Sequence, residues 1–168
     1  MYDVLKAFEE LDSLDESVNT NIIYHRTAPN SAVNILNENI LRVGGNYLFN
    51  HTFGQCICFS RDYNFIKNMP GNNYVIFVLD RDKLTTRYKL KPITDYKNTD
   101  SFKGRYTGKS KAEEICFKDI INIQKYLLKI LVSDNIYDKF IEVLNNSNVE
   151  YNKDICIKVS EYNSRDLD

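Results

Sequence analysis

Residues 74–79 read Tyr-Val-Ile-Phe-Val-Leu, and this run is the clearest strand in the sequence. Aromatic and β-branched residues favour strands, and a large apolar or aromatic side chain at every position means that both faces must be covered. The break Met-Pro-Gly-Asn-Asn at 69–73 and the charged residues at 80–82 mark its two ends. We therefore expect this strand at the centre of a sheet.

Short strands and short helices alternate on either side of this run. Further strands are expected at 21–27, 40–43, 56–59, 88–93, 112–117, 126–132 and 154–159. Helices are expected at 2–16, 32–36, 63–67 and 136–144. Asn30 or Ser31 can cap the second helix and Ser133 the last, while Pro92 places its strand at an edge because proline lacks a ladder donor. The order predicts an α+β protein with a mixed or largely antiparallel sheet, and a frayed end at 161–168.

The composition excludes several classes of protein. A chain of 168 residues that is 43% hydrophobic fits one folded domain. Because 22 Lys and Arg oppose 23 Asp and Glu, the formal charge is -1, and no global attraction to nucleic acid or anionic membrane is expected. The acidic start does not resemble a secretion signal, and no apolar run approaches the roughly 18 residues of a membrane span. We expect a cytoplasmic protein in a reducing compartment, without a membrane partner.

The cysteines and histidines do not have the spacing of a metal site. Cys56 and Cys58 alternate onto one face of an apolar strand, which is typical of small buried thiols. His25 and His51 are isolated from each other and from any cysteine pair. We therefore expect no metal.

Three polar segments stand at strand ends. They are Tyr-His-Arg-Thr at 24–27, Ser-Arg-Asp at 60–62 and Ala-Glu-Glu at 112–114. Each has a structural explanation: a hydrogen-bonded histidine, a helix cap beside a surface charge pair, and a solvated lead-in to a strand. Their joint order along the chain favours a functional site.

That order resembles the ADP-ribosyltransferase fold. Residues 23–27, followed by the helix at 32–36, are similar to the Tyr-His-Gly-Thr element of transferases that use a first-strand histidine. Residues 58–61 are similar to the second element, a strand that ends in Ser, and residues 111–117 to the third, a Glu that leads into a strand. Residues 120–132 resemble the end of the DNA-targeting toxin branch and of small phage-encoded relatives.

The resemblance covers about residues 21–132 and implies a single domain over 1–168. This core would hold a split mixed or antiparallel sheet with short peripheral helices, an N-terminal helix at 2–16 and a C-terminal helix-strand unit at 133–160. The implied activity is that of a mono-ADP-ribosyltransferase, with NAD as substrate, no metal, and a toxin or anti-defence role. The acceptor would be a macromolecule, protein or nucleic acid. The locally basic stretch 103–111 can steer a nucleic acid or merely solubilise its loop.

The resemblance also assigns roles to individual residues. The implied catalytic residues are Glu113, Glu114 and His25, and the implied cofactor-binding residues are Tyr24, His25, Arg26, Thr27, Ser60, Arg61 and Tyr63. His25 would bond a ribose hydroxyl, Arg61 would meet the pyrophosphate, and Glu113 would polarise the nicotinamide ribose. Breaking the nicotinamide–ribose bond builds positive charge on the ribose, and a carboxylate at the 2′-hydroxyl stabilises that charge.

Supporting roles follow from the same resemblance. Thr27 and the main chain of Arg26 would lie along the nicotinamide, and Ser60 would support the first element. Candidates for stacking on nicotinamide or adenine are Tyr47, Tyr63 and Phe65.

Departures from the family pattern leave alternatives open. Arg26 stands where the first element often has Gly. Glu113 and Glu114 alternate faces on a strand, so only one can enter a cleft, and the Ala-Glu alignment favours Glu113. The missing Glu-x-Glu pair argues against the arginine-modifying branch. One alternative is a non-catalytic module of the same fold that binds a host protein or sequesters a nucleotide. Another is a metal-free, ribonuclease-like site built from His25, Arg61 and Glu113.

Overall fold

The computed structural model describes residues 21–44, 55–92 and 113–167. The helix expected at 2–16, the aromatic candidate Tyr47 and the basic stretch 103–111 lie outside the described residues.

The described residues form a mixed sheet of seven strands and a small sheet of two. The strands are β1 (Ile22–Thr27), β2 (Ile40–Leu41), β3 (Ile57–Ser60), β4 (Val75–Asp80), β5 (Lys91–Pro92), β6 (Glu113–Cys116), β7 (Ile120–Ile121), β8 (Leu127–Val132) and β9 (Cys156–Lys158). The large sheet has the order β5-β6-β3-β1-β4-β8-β9, and β2 pairs with β7. All neighbours are antiparallel except β8 and β9, which are parallel. The α+β class and the mixed sheet expected from the sequence are confirmed.

Strand β4 lies between β1 and β8, as its apolar character predicted. Its residues Val75, Ile76, Phe77, Val78 and Leu79 are all fully buried. Alternate side chains enter two core clusters, one on each face of the sheet. The two-residue strand β5 is an edge strand, in agreement with the restriction that Pro92 imposes.

Four α-helices cover the sheet: α1 (Pro29–Glu38), α2 (Tyr63–Lys67), α3 (Arg81–Thr85) and α4 (Tyr137–Asn146). Helix α4 lies in the connection between β8 and β9, because parallel neighbours need a crossover. Within the described ranges, no helix is long and apolar enough to cross a membrane.

Two predicted caps are wrong. Helix α1 starts with Pro29 at its first position and without a side-chain cap from Asn30 or Ser31. Proline is well suited to this position because the first turn leaves its N–H groups unpaired in any case. A 3-10 turn separates Ser133 from α4, and the Ser133 hydroxyl instead accepts a hydrogen bond from the N–H of Tyr74.

The sheet divides between β1 and β3. These strands share one residue pair, Tyr24 with Ser60, whereas β1 and β4 pair at six positions and β3 and β6 at four. We call β5, β6 and β3 the β3 sub-sheet, and β1, β4, β8 and β9 the β1 sub-sheet. The region around the Tyr24–Ser60 pair, where the two sub-sheets meet, is the junction.

The C-terminal segment is not frayed throughout, in contrast to the expectation for 161–168. Short 3-10 helices occupy Val159–Glu161 and Ser164–Leu167. The ring of Tyr162 packs against Tyr24 and Tyr63, and its hydroxyl lies 2.9 Å from that of Tyr24. These contacts of Tyr162 with two core aromatic residues hold the C-terminal segment in place.

Candidate active site

Ser60 and Glu113 form a buried hydrogen-bonded pair at the junction. They are register partners on β3 and β6, and the Ser60 hydroxyl donates to Glu113 Oε1 at 2.6 Å. The same hydroxyl oxygen accepts from the N–H of Asp62 at 3.0 Å. Because Asp62 donates to the oxygen, the hydroxyl hydrogen is available for the carboxylate. The short distance is typical of a charge-assisted bond to an ionised carboxylate.

Local structure explains why Ser60 is in this position. Strand β3 ends at Ser60, and two residues later Asp62 caps α2 by accepting a hydrogen bond from the N–H of Phe65. The turn between strand and helix therefore presents the Asp62 N–H to the Ser60 hydroxyl. The predicted cap at 60–62 and the predicted support role of Ser60 belong to the same turn.

Glu114 has a different partner on the other face of β6. Its carboxylate accepts two hydrogen bonds from Arg81, from Nε at 2.8 Å and from a terminal guanidinium nitrogen at 2.6 Å. The Glu114 side chain is 4% exposed and that of Arg81 is 24% exposed. Alternation along the strand thus separates the two adjacent glutamates, as expected. Glu114 is paired with a cation, and Glu113 accepts a hydrogen bond from the Ser60 hydroxyl.

His25 extends from β1 toward β3. Its Nδ1 lies 2.9 Å from the carbonyl oxygen of Cys58, and its ring contacts the ring of Phe59. Burial lowers the pKa of His25, and the Cys58 hydrogen bond opposes this only in part. The imidazole is therefore neutral at neutral pH. Because a carbonyl can only accept, Nδ1 carries the proton, and Nε2 is left as an acceptor.

The imidazole takes the place of a missing sheet hydrogen bond. Continuing the β1–β3 register beyond Tyr24 and Ser60 would pair Arg26 with Cys58, but the pairing stops before that position. A strand carbonyl lies close to the plane of its sheet, so a ring bonded to the Cys58 oxygen reaches into the gap between the strands. Although His25 alternates to the face opposite Ser60, its ring therefore lies at the junction.

The Tyr24 and Tyr63 side chains lie in the core, and the predicted roles of these two residues in cofactor binding stay predictions. Tyr24 is fully buried and Tyr63 is 6% exposed. Their rings pack against each other with centroids 5.3 Å apart, under Tyr162. Both are core residues, because alternation turns Tyr24 into the apolar cluster that the first turn of α2 covers.

The Arg26 side chain binds the end of α2 and the loop after it through hydrogen bonds. Its guanidinium donates to four carbonyl oxygens between Ile66 and Gly71 at 2.9 to 3.2 Å. It also lies over the ring of Tyr74, 3.8 Å from the centroid. The bulk that replaces the family's glycine is thus directed toward this loop. The predicted nicotinamide contact concerned only the main chain of Arg26, and it stays a prediction.

The predicted roles of Thr27 and Arg61 stay predictions. Thr27 is the last residue of β1 and is partly exposed beside Val75. Arg61 follows Ser60 directly and is half-buried. Phe65 packs partly buried against the same cluster as Tyr63.

No sequence pattern indicated that Arg81 is a neighbour of the site. Arg81 follows the central strand, and its partner Glu114 is 33 residues away in the chain. The pairing depends on the strand order, which puts β1 and β3 between the two residues. Across residues 21–44, 55–92 and 113–167, no group of three His, Cys, Asp or Glu side chains could hold a metal ion.

Comparisons with known proteins identify a fold. No protein-family model matches the sequence, and no curated protein matches it. The structure is similar to that of Thermus sp. 2.9 DarT in complex with NAD+, with a TM-score of 0.54 and 11% sequence identity over 89% of this chain and 99% of that chain. At this identity the similarity concerns the fold alone. It supports the ADP-ribosyltransferase-like fold that the order of sequence elements implied.

Proposed function

We propose that the protein is a mono-ADP-ribosyltransferase that takes NAD as donor substrate and modifies a macromolecular acceptor, protein or nucleic acid. The observation that carries the proposal is the buried Ser60–Glu113 hydrogen bond of 2.6 Å at the junction. A carboxylate held in this way at the junction, where the imidazole of His25 also lies, suits a ligand rich in ribose hydroxyls. The fold shared with an NAD-bound protein supports the same donor.

Glu113 is the proposed catalytic carboxylate. In the reaction, the bond between ribose C1′ and the nicotinamide nitrogen breaks, and its electron pair leaves with nicotinamide. The acceptor nucleophile then bonds to C1′ and loses a proton. Glu113 would accept a hydrogen bond from the ribose 2′-hydroxyl and stabilise the positive charge that develops on the sugar. The Ser60 hydroxyl fixes the carboxylate before substrate binds, so less reorganisation is needed in the transition state.

Glu114 is less suited to this task. Its two oxygens already accept a bidentate pair of hydrogen bonds from Arg81. A carboxylate engaged in this way offers little net negative charge to a sugar cation. We therefore assign the charge-stabilising role to Glu113 alone.

His25 is the proposed ribose anchor. Its neutral imidazole donates through Nδ1 to Cys58 and presents Nε2 as an acceptor. A ribose hydroxyl can donate to that nitrogen, whereas an imidazolium would repel the positive charge of the nicotinamide ring. The anchoring role thus requires the neutral form that burial favours.

The test combines binding, cleavage and transfer. Calorimetry with NAD should show binding, released nicotinamide should show cleavage, and labelled NAD in a cell lysate should yield a labelled macromolecule. Glu113→Gln should keep NAD binding and lose more than about 100-fold in cleavage, since it removes the charge of a transition-state carboxylate. Glu142→Gln is the matched control, because Glu142 forms an exposed ion pair on α4.

Three outcomes are informative. Binding and cleavage that depend on Glu113 support the proposal. Binding of NAD without nicotinamide release or labelling would instead favour a non-catalytic module. Absence of NAD binding and of labelling would refute the proposal.

A further inference from the structure

The ion pair between Arg81 and Glu114 connects the two sub-sheets. Arg81 opens α3 directly after β4, in the β1 sub-sheet, and Glu114 lies on β6, in the β3 sub-sheet. Strands β3 and β1 lie between them in the sheet order, so the two side chains bridge the junction. The proposed chemistry uses neither residue directly.

Both ends of this bridge are anchored. The Arg81 N–H donates to the carbonyl of Asn21 at 2.9 Å, at the start of β1. Glu114 is a register partner of Phe59 on β3. The guanidinium and the carboxylate meet in a fork with two bonds of 2.6 and 2.8 Å. A planar fork constrains orientation as well as distance, which a single hydrogen bond does not.

Other polar connections across the junction are weaker constraints. Two examples are the single Tyr24–Ser60 ladder position and the hydrogen bond from His25 Nδ1 to the Cys58 oxygen. One ladder position leaves the angle between two strands free to vary. Unlike these two connections, the Arg81–Glu114 fork is charged and bidentate, and burial of the Glu114 side chain shields it from water.

We propose that Arg81 and Glu114 are positioning residues that fix the angle between the two sub-sheets and so hold the Ser60–Glu113 pair at its distance from His25. The inference rests on the proposed function. Glu114 is the chain neighbour of Glu113, so a shift of β6 moves the proposed catalytic carboxylate with it. A displacement of about 1 Å in such a group can cost about 100-fold in rate.

Conservative variants separate positioning from mere stability. Arg81→Lys keeps the positive charge but cannot form the fork. Glu114→Gln keeps the volume but turns an amide N–H₂ toward the donors of Arg81. Each should lower kcat for NAD cleavage by about 10- to 100-fold, with KM changed by less than about threefold. Glu142→Gln, the same substitution in an exposed pair, should leave both constants unchanged.

A second measurement does not depend on NAD. The pKa of His25 is lowered by burial at the junction, and NMR can follow its titration, with His51 as the other histidine of the sequence. If the sub-sheets separate in Arg81→Lys or Glu114→Gln, water reaches the imidazole and the pKa of His25 moves up toward its ordinary value. The pKa of His25 in Glu142→Gln should match that of the wild type.

The outcomes distinguish this inference from the proposed function. An upward move of the His25 pKa in both variants supports positioning, even if no NAD is cleaved and the proposed function fails. Reduced thermal stability with an unchanged His25 titration and unchanged kcat would show that the pair only stabilises the fold, and the inference would be wrong. Should Arg81→Lys fail to fold, Glu114→Gln carries the same test because it removes almost no volume.

Discussion

Lowering the pH from 7 to 5.5 should destabilise the protein through His25. In the folded state, burial lowers the pKa of this imidazole, which stays neutral while its Nδ1 donates to the Cys58 carbonyl. In the unfolded chain a histidine titrates near its ordinary pKa of about 6.5. Below that pH the unfolded state binds a proton that the folded state does not, so the free energy of unfolding falls as the pH falls.

The loss of unfolding free energy through His25 has an upper bound. The contribution of the neutral His25 imidazole to the free energy of unfolding is fully present above the pKa of histidine in the unfolded chain. It is lost as the pH falls toward the lower pKa of His25 in the folded protein. Each pH unit in that window costs at most about 1.4 kcal/mol, and the loss between pH 7 and 5.5 is at most about 1.3 kcal/mol. For a chain of this size, such a loss lowers Tm by about 3 to 5 °C.

Urea unfolding at the two pH values measures this effect. His25→Asn is the informative variant, because its side-chain amide can donate to the Cys58 oxygen as Nδ1 does but does not titrate. The wild type should lose about 1 kcal/mol more than this variant between pH 7 and 5.5. His51→Gln, at the other histidine of the sequence, measures separately how much of the loss comes from that residue. Equal losses in wild type and His25→Asn would show that the pKa of His25 is not lowered in the folded protein.

Two further predictions concern Arg26 and the cysteines. Arg26→Ala removes four hydrogen bonds to carbonyl oxygens and the contact with the Tyr74 ring. Because these interactions are partly exposed, their combined loss should lower the free energy of unfolding in urea by about 2 kcal/mol and speed hydrogen exchange at 66–71. A loss under about 0.5 kcal/mol would contradict this prediction. Burial raises the pKa of Cys156 to about 12, and the hydrogen bond with Cys56, burial and the charge of Glu113 raise that of Cys58. Both thiols should resist iodoacetamide at pH 8 in the folded protein and react in urea, as measured by mass spectrometry; rapid labelling of either in the folded state would show that it is not protected.

The predictions of the fold that succeeded are those that depend on local properties of the chain. The central position of 74–79 and the edge position of the strand at Pro92 depend on local properties, namely covered faces and a missing donor. The cap at Ser133 is wrong because its hydroxyl bonds to Tyr74, which is distant in the sequence. Local patterns predict elements well, but the partner of a polar side chain is decided by tertiary structure.

In the candidate site, too, local patterns predicted some features, whereas others depended on the tertiary structure. The order of Ser60 and Glu113 along the chain predicted a common site, and the structure pairs them directly. The sequence did not show that the Tyr24 side chain lies in the core, because the face of a residue beside a split sheet depends on register. The role of Arg81 required knowledge of which strands lie between it and Glu114.

The single residue pair between β1 and β3 has a consequence for how the protein folds. The Ser60–Glu113 contact lies within the β3 sub-sheet and spans 53 residues of chain, whereas the hydrogen bond between His25 and Cys58 joins the two sub-sheets across 33 residues. Contacts with such a large sequence separation carry a high loop-closure entropy and form slowly. The proposed catalytic carboxylate and His25 are therefore expected to come together only after both sub-sheets have formed and docked. Recovery of activity during refolding would then report the last assembly step, later than the secondary structure seen by circular dichroism.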